Sequence, residues 1–140
     1  MTVRLFLIDN SALARVHQPT VRDRLVALAA DGELACAAPQ ALEILYSARN
    51  AGEWEATRQA LAEFTALPAS AASDQAARDL QEALLRAGKL RAVGPTDLLI
   101  AGIAATHGAT VVHYDADYEH VASVDESFRQ AWVVPRGTVP

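Results

Sequence analysis

Four acidic side chains, taken from four separate segments of this 140-residue chain, have the chemistry of a metal site: Asp9, Glu43, Asp97 and Asp115. Carboxylates brought close together repel one another and raise each other's pKa unless a cation resolves the conflict. A donor set of oxygen atoms, with no requirement for histidine or cysteine, favours Mg²⁺, with Mn²⁺ as a substitute, over zinc. One or two such ions can activate water, orient a phosphodiester and stabilise the leaving oxygen. The residue types therefore predict metal-dependent hydrolysis of phosphodiester bonds, with these four acids as the catalytic and metal-binding residues.

Each acid also has an ordinary structural explanation. Asp9 can start a helix, and Asp97 can complement the helix dipole at an N-terminus. Glu43 can be a solvated helix residue, and Asp115 can be a turn former. The metal-site interpretation depends on all four together, because four segments would bring carboxylates to one edge with no lysine nearby in sequence. Ser11 lacks a nucleophile-elbow motif, so we interpret it as a helix cap and a hydrogen-bond donor to Asp9.

The positions of these residues follow from a predicted alternation of strands and helices. Short apolar runs containing Val, Phe and Ile are typical of buried strands, and the segments between them carry helical periodicity. The predicted strands cover residues 3–8, 34–37, 110–113 and 131–134, and the predicted helices cover about 19–30, 39–50, 53–66, 73–87, 97–107 and 116–123. Such an order forms βαβ units, so the predicted fold class is α/β, an α/β/α sandwich with a mainly parallel central sheet flanked by helices.

The predicted sheet brings the four acids to one edge. Asp9 and Asp115 each follow the C-terminal end of a strand, which is where open α/β sheets bind ligands. Asp97 opens a helix that we expect Thr96 to cap and Gly108 to end. The fourth acid, in the helix after the second strand, lies about one turn in and can lean over the same rim.

The composition is that of one globular domain. The chain is 51% hydrophobic and 21% charged, which is too apolar for a disordered protein and long enough to bury a core. No apolar run approaches the roughly 20 residues that span a bilayer, and the run before Asp9 is too short for a signal peptide. The single cysteine, Cys36, excludes a disulfide framework and a cysteine zinc cluster. We therefore expect a cytoplasmic protein with no membrane association.

The net charge of −5 argues at first against a nucleic-acid ligand, because nucleic-acid binders carry a basic footprint. The excess of acidic over basic residues lies in the predicted site. Without its four acids and Asp117, the chain has 12 acidic residues, equal to its 12 lysines and arginines. All bases but Lys89 are arginines, whose forked donors suit phosphate oxygens. GC-rich coding gives the same bias, so the charge alone leaves the ligand open.

Four motifs, none specific by itself, together resemble a known family. They are Leu7-Ile8-Asp9-Asn10-Ser11-Ala12-Leu13, Leu42-Glu43-Ile44-Leu45-Tyr46, Pro95-Thr96-Asp97-Leu98-Leu99-Ile100-Ala101 and His113-Tyr114-Asp115-Ala116-Asp117-Tyr118. In this order they resemble the PIN domain, and the chain is most similar to VapC-type toxins of bacterial type II toxin–antitoxin systems. The resemblance covers essentially the whole chain, with a single PIN-like domain over 1–134 and a short C-terminal tail over 135–140 that we expect to be frayed.

The resemblance implies a Mg²⁺-dependent endoribonuclease toxin. In the family pattern the metal-binding acids are Asp9, Glu43, Asp97 and Asp115. Asp117 matches an auxiliary acid, and Ser11 matches a hydroxyl near the first acid. Asn10 stands where threonine is commoner, and Tyr118 replaces a usual phenylalanine, which we expect only to add a hydroxyl to a packing position. Because the four-acid pattern is complete, we expect an active enzyme.

The resemblance also implies partners. A VapB-type antitoxin would wrap the helices and place a basic side chain in the acidic site, and a homodimer is common in the family. Tyr46 and Trp54 flank the turn between two predicted helices and could line an antitoxin groove, or the two rings could simply pack that helical hairpin.

Three arginines lie within a few residues of a site segment and are candidate contacts to RNA phosphates: Arg15, Arg49 and Arg91. The alternative for each is an ordinary surface arginine. Without a base-stacking motif, we expect recognition of RNA shape or of a loop.

Two other function classes remain open. A phosphatase or phosphotransfer domain can share a doubly wound fold, although the acid expected two residues after Asp9 is replaced by Ser11, and Lys89 follows a helix. A catalytically silent PIN-like binding module would use the acids to hold an ion or a basic peptide. The four histidines lie on different elements, and we expect His113 to be a packed or rim residue.

Overall fold

The computed structural model describes residues 2–140 and contains one parallel sheet of five strands with helices on both faces. The strands are β1 (Leu5–Ile8), β2 (Glu33–Cys36), β3 (Thr65–Ala66), β4 (Thr110–His113) and β5 (Gln130–Trp132). The helices are α1 (Asn10–Leu13), α2 (Pro19–Asp31), α3 (Ala38–Tyr46), α4 (Ala51–Leu61), α5 (Ala71–Arg86), α6 (Pro95–His107) and α7 (Asp117–Val124). The predicted α/β sandwich is confirmed.

The strand order is β3-β2-β1-β4-β5, and every neighbouring pair is parallel. The chain builds outwards from β1 in one direction through β2 and β3, and in the other through β4 and β5. The strand order therefore reverses between β1 and β4, where Ile8 pairs with Val112. In open α/β sheets this switch point opens a crevice at the carboxyl ends of the two strands.

Successive side chains of the central strands enter different cores because a strand alternates its faces. Leu7 and Val111 belong to the core that α5, α6 and α7 cover. Phe6, Ile8 and Val112 belong to the core on the opposite face, under α1 and α2. This burial on both faces explains why β1 is a continuous apolar run and why the centre of β4 is Val111-Val112.

Helix α6 has more buried residues than any other helix, and small residues let it approach its neighbour closely. A Cβ atom on Gly102 would lie 2.5 Å from the backbone oxygen of Ser73 in α5. The helix ends, as predicted, at Gly108, which adopts a left-handed conformation with φ of 64°. None of the helices formed by residues 2–140 combines the length and apolar character that a membrane span requires.

The strand β3 was not expected, and the helix predicted over 53–66 is wrong at its end. Helix α4 stops at Leu61, and Thr65 and Ala66 then pair with Ala35 and Cys36 of β2. Two residues cannot show a strand period, and no glycine or proline separates them from the helix. The preceding helix, predicted over 39–50, ends at Tyr46.

The start of α6 also differs from the expectation. Gly94 is the N-cap residue and Pro95 occupies the first turn, so Thr96 lies inside the helix and does not cap it. Proline suits that first turn because its missing N–H would have no partner there. The shift places Asp97 in the first turn of the helix.

The C-terminal residues are docked, so the expected fraying of 135–140 is wrong. The Tyr114 hydroxyl donates to the backbone oxygen of Val139 at 2.8 Å and accepts from the backbone N–H of Gly137 at 2.8 Å. Arg15 donates from Nε to the backbone oxygen of Pro140 at 2.9 Å. The side chain of Val139 packs against the α1–α2 core.

Candidate metal centre

Asp9 is held rigidly at the carboxyl end of β1. Its side chain is 2% exposed, and it caps α1 by accepting the backbone N–H of Ser11 on Oδ2 at 3.0 Å. The Ser11 hydroxyl donates to the same oxygen at 2.6 Å and accepts the backbone N–H of Tyr114 at 2.8 Å. The hydrogen bond expected from Ser11 is present, but Asp9 itself is the helix cap.

Glu43 and Asp97 approach Asp9 from two different helices. Asp97 lies in the first turn of α6, and the exposed Glu43 lies in the middle of α3. Each of the three acids has a carboxylate oxygen within 4.8 Å of one from each of the others. Their burial is graded, from the buried Asp9 through the half-buried Asp97 to Glu43 at the rim.

Asp115 and Asp117 complete a second group around the same helix start. Asp115 follows β4, and its Oδ1 accepts the backbone N–H of Asp117 at 2.9 Å, the residue that begins α7. One oxygen from each of these two acids and one from Asp97 lie within 4.8 Å of one another. The structure therefore brings all five predicted acids together, in two groups that share Asp97. We call these five residues the acidic cluster.

The acidic cluster is partly buried and concentrates negative charge, and together these raise the pKa of three of its members. Burial, followed by the charges of Asp9 and Asp115, raises the pKa of Asp97 from its ordinary value to about 7. Burial and the same two charges raise the pKa of Glu43, and burial with Asp115 raises that of Asp117. The four ion pairs within the described part of the chain involve other residues: Arg4–Asp31, Arg49–Glu53, Arg58–Glu55 and Arg86–Glu82. An all-carboxylate set without a basic partner fits Mg²⁺ or Mn²⁺.

Tyr118 is the site residue that sequence reasoning missed. The side chain is fully buried, and its hydroxyl donates to Asp9 Oδ1 at 2.8 Å and contacts Asp97 Oδ1 at 3.3 Å. Burial and the two carboxylates raise the pKa of the phenol, so it stays protonated. The expectation that this hydroxyl only fills a packing position is therefore wrong. The available signal was a tyrosine, next to Asp117, where the family pattern has phenylalanine.

His113 is a packed residue, as expected. It is fully buried, and its ring centroid lies 4.9 Å from that of Tyr118 and 5.0 Å from that of Trp132. Its Nδ1 accepts the backbone N–H of Asp115 at 3.1 Å, so Nε2 carries the proton and donates to Gln130 Oε1. Burial lowers the pKa of the imidazole, which keeps it neutral and able to hold the Asp115 backbone.

The three arginines expected near the acidic cluster have different surroundings. Arg15 donates from Nη1 to the backbone oxygen of Ser11 at 2.6 Å and stacks over Tyr114, 4.5 Å from the ring centroid. Arg49 forms a forked pair with Glu53 on the exposed start of α4. Arg91 lines a surface cavity formed by residues 85 and 88–92. Within residues 2–140, none of these three arginines forms an ion pair with a residue of the acidic cluster.

The two aromatic residues expected to line an antitoxin groove are not brought into one groove. Tyr46 is 92% exposed and lines a cavity of about 690 Å³ together with Glu43 and Thr96. Trp54 is 44% exposed and lines neither this cavity nor the apolar groove of about 540 Å³ between α2 and α4. The cavity beside Glu43 also has the exposed Leu42 on its wall.

Comparison with protein families gives a match over most of the chain. A model of the PIN domain matches residues 6–124. Among curated relatives, Ribonuclease VapC51 of Mycobacterium tuberculosis is 38% identical over 134 residues, which cover 96% of this chain and 96% of the relative. Ribonuclease VapC21 of the same organism is 38% identical over 141 residues, covering 99% of both chains.

Solved structures with the same fold are more distant in sequence. A structure of VapBC2 from Rickettsia felis, bound to a DNA fragment from its promoter, has a TM-score of 0.77 at 17% identity and covers 91% of this chain and 97% of the other. DNA-bound VapBC from Salmonella typhimurium has a TM-score of 0.74 at 18% identity, with 95% and 100% covered. At these identities the likeness concerns the fold.

Proposed function

Because this chain belongs to the PIN domain family, we propose that it is a Mg²⁺-dependent endoribonuclease, with Mn²⁺ as a substitute ion, and the toxin of a type II toxin–antitoxin pair. The observation that carries the proposal is the acidic cluster, in which two groups of three carboxylates share Asp97 at the switch point of the sheet. The preference for RNA is supported by relatives that bear the name ribonuclease over nearly the full length of the chain.

The residues of the acidic cluster form two groups of candidate metal ligands. Asp9, Glu43 and Asp97 would hold one ion, and Asp97, Asp115 and Asp117 offer a second group of ligands. A divalent cation bound there supplies activation of water, orientation of the phosphodiester and stabilisation of the leaving oxygen.

The surrounding side chains keep those carboxylates in place. Ser11 fixes one oxygen of Asp9, and His113 holds the backbone of Asp115. Both oxygens of Asp9 accept hydrogen bonds, and the side chain is 2% exposed. This environment argues against Asp9 as the nucleophile of a phosphotransfer domain, because a nucleophilic oxygen must reach its substrate.

We propose a VapB-type antitoxin as the cognate partner. A basic side chain from such a partner would replace the cation among the carboxylates and so block catalysis. The exposed Leu42 and Tyr46 beside Glu43 give this partner apolar surface next to the cluster. A homodimer of the toxin is part of the same proposal.

The experiment that tests the activity is cleavage of total RNA by partner-free protein with Mg²⁺ or Mn²⁺. EDTA and Asp97→Asn should each abolish cleavage. Asp125→Asn is the matched control, because Asp125 is half-buried like Asp97 yet lies outside the acidic cluster.

Three results would contradict the proposal. Cleavage that survives both EDTA and Asp97→Asn would mean that the acidic cluster does not catalyse it. Folded protein that binds metal but cleaves no RNA would favour the silent binding module, and a phosphoaspartate trapped at Asp9 would favour phosphotransfer.

A further inference from the structure

The phenol of Tyr118 lies between two of the acids that share the first proposed ion. Its oxygen is 2.8 Å from Asp9 Oδ1 and 3.3 Å from Asp97 Oδ1. We propose that the Tyr118 hydroxyl is a positioning group that holds these two carboxylates in the arrangement that binds the divalent cation, and thereby sets the metal affinity of the site. This inference rests on the proposed function, because it concerns the same metal.

The ring that carries this hydroxyl is fixed by its neighbours. It is fully buried, and its centroid lies 4.9 Å from that of His113 and 6.4 Å from that of Phe128, to which it is nearly parallel. Its backbone belongs to the first turn of α7, which begins at Asp117. A fully buried ring packed beside two other rings delivers its hydroxyl to one place, so the donor is preorganised before any ion arrives.

Asp9 depends on this donor because it is closed to water. Ser11 occupies Oδ2 with two hydrogen bonds, and Tyr118 occupies Oδ1. With both oxygens held, the carboxylate cannot rotate about its Cβ–Cγ bond without losing a partner. Asp9 is 2% exposed, so water does not replace a lost donor. Rotation of the carboxylate would therefore leave a buried oxygen without a hydrogen bond.

Asp97 faces Asp9 across the phenol. The two carboxylates carry like charge, and the pKa of Asp97 is raised by its burial and by the charge of Asp9. A protonated hydroxyl between them offers positive potential to both, which keeps the pair close without a cation. Without the hydroxyl the two carboxylates would move apart, and part of the binding energy of an incoming ion would be used to bring them together. Hydrogen-bond partners of metal ligands typically change metal affinity 10–100-fold when removed.

The test compares Tyr118→Phe with wild type by Mn²⁺ titration, with free Mn²⁺ measured by electron paramagnetic resonance. The expected result is Mn²⁺ binding weakened about 10–100-fold, and a shift of the same size in the Mg²⁺ concentration that half-activates RNA cleavage. Tyr114→Phe is the matched control: it removes a phenol hydroxyl that binds the backbone of Val139 and Gly137 and should leave Mn²⁺ affinity unchanged.

The outcomes separate this inference from the proposed function. Equal Mn²⁺ affinity in folded Tyr118→Phe and wild type would overturn the positioning role, while loss of binding in Asp97→Asn would still support the metal site. A weakened affinity that Tyr114→Phe reproduces would also overturn it, because a general loss of stability would then explain the effect. Wild-type protein that binds no Mn²⁺ would overturn both.

Discussion

Tyr118 donates a hydrogen bond of 2.8 Å to Asp9, a residue 109 positions earlier in the chain. The bond joins the residue that follows β1 to the first turn of α7. The same hydroxyl lies 3.3 Å from Asp97, in the first turn of α6. The acidic cluster is therefore not a loose collection of rim residues. Its inner part is fixed by the same packing that forms the core around α6 and α7.

The first prediction concerns stability without metal. The pKa of Asp97 is raised from 3.8 to about 7 in the folded protein, so the folded state binds a proton more tightly than the unfolded state. The stability contributed by this proton is complete below about pH 4 and is lost as the pH rises through about 7. Asp97→Asn should therefore stabilise the metal-free protein at pH 8 by about 1–2 kcal/mol, after allowance for its partial exposure.

Urea unfolding in EDTA at pH 5 and pH 8 measures this effect. The free energy of unfolding of wild type should fall relative to that of Asp97→Asn between the two values. If the two proteins keep a constant difference across this range, Asp97 does not titrate there.

The second prediction concerns competition between protons and Mg²⁺. A ligand must be deprotonated to bind a metal, and the pKa of Asp97 of about 7 places its proton in competition near neutral pH. Mg²⁺ affinity should fall about tenfold from pH 8 to pH 6, because a single proton then occupies most of the sites. Isothermal titration calorimetry at the two values checks it, with Asp125→Asn expected to follow wild type. An affinity independent of pH in this range would contradict the raised pKa.

The third prediction concerns Ser11. Its hydroxyl donates to the buried Asp9 and accepts the backbone N–H of Tyr114, so Ser11→Ala leaves two polar groups without this partner. We expect a loss of about 1–3 kcal/mol in the free energy of unfolding and weaker Mg²⁺ binding. Ser127 donates its backbone N–H and its hydroxyl to Asp125 on the exposed surface, as Ser11 does to the buried Asp9, so Ser127→Ala should change stability by no more than about 0.5 kcal/mol. Equal losses in the free energy of unfolding of the two variants would show that the buried hydrogen bonds of Ser11 contribute no more than those of an exposed serine.

Most of the fold could be predicted from local patterns. Strand β1 is an uninterrupted apolar run, and β4 has two adjacent valines at its centre, because both faces of the sheet are covered. The strand β3 could not be predicted, because two residues show no period and their place is decided by pairing with β2. Helix α6 was recognisable from its apolar content and from Gly108, although its cap was assigned two residues too far along the chain, at Thr96 in place of Gly94.

The candidate site divides in the same way. The acids could be proposed because carboxylates are typical metal ligands and because Asp9 and Asp115 follow the ends of neighbouring strands. The role of Tyr118 depends on a contact between distant segments, and a phenylalanine-like packing position hides it in the sequence. The docking of residues 135–140 was hidden for the same reason, since it depends on where the Tyr114 hydroxyl emerges.

The last prediction separates two roles for Arg15. The sequence offers it as an RNA contact, but its guanidinium donates to Ser11 and Pro140 and stacks over Tyr114. Arg15→Ala should therefore speed hydrogen exchange at the amides of Gly137 and Val139 and lower the free energy of unfolding by about 1 kcal/mol. Exchange followed by mass spectrometry checks it, with Arg24→Ala, on the exposed side of α2, as the control. Weaker RNA binding with unchanged exchange in the C-terminal residues would instead assign Arg15 to the substrate.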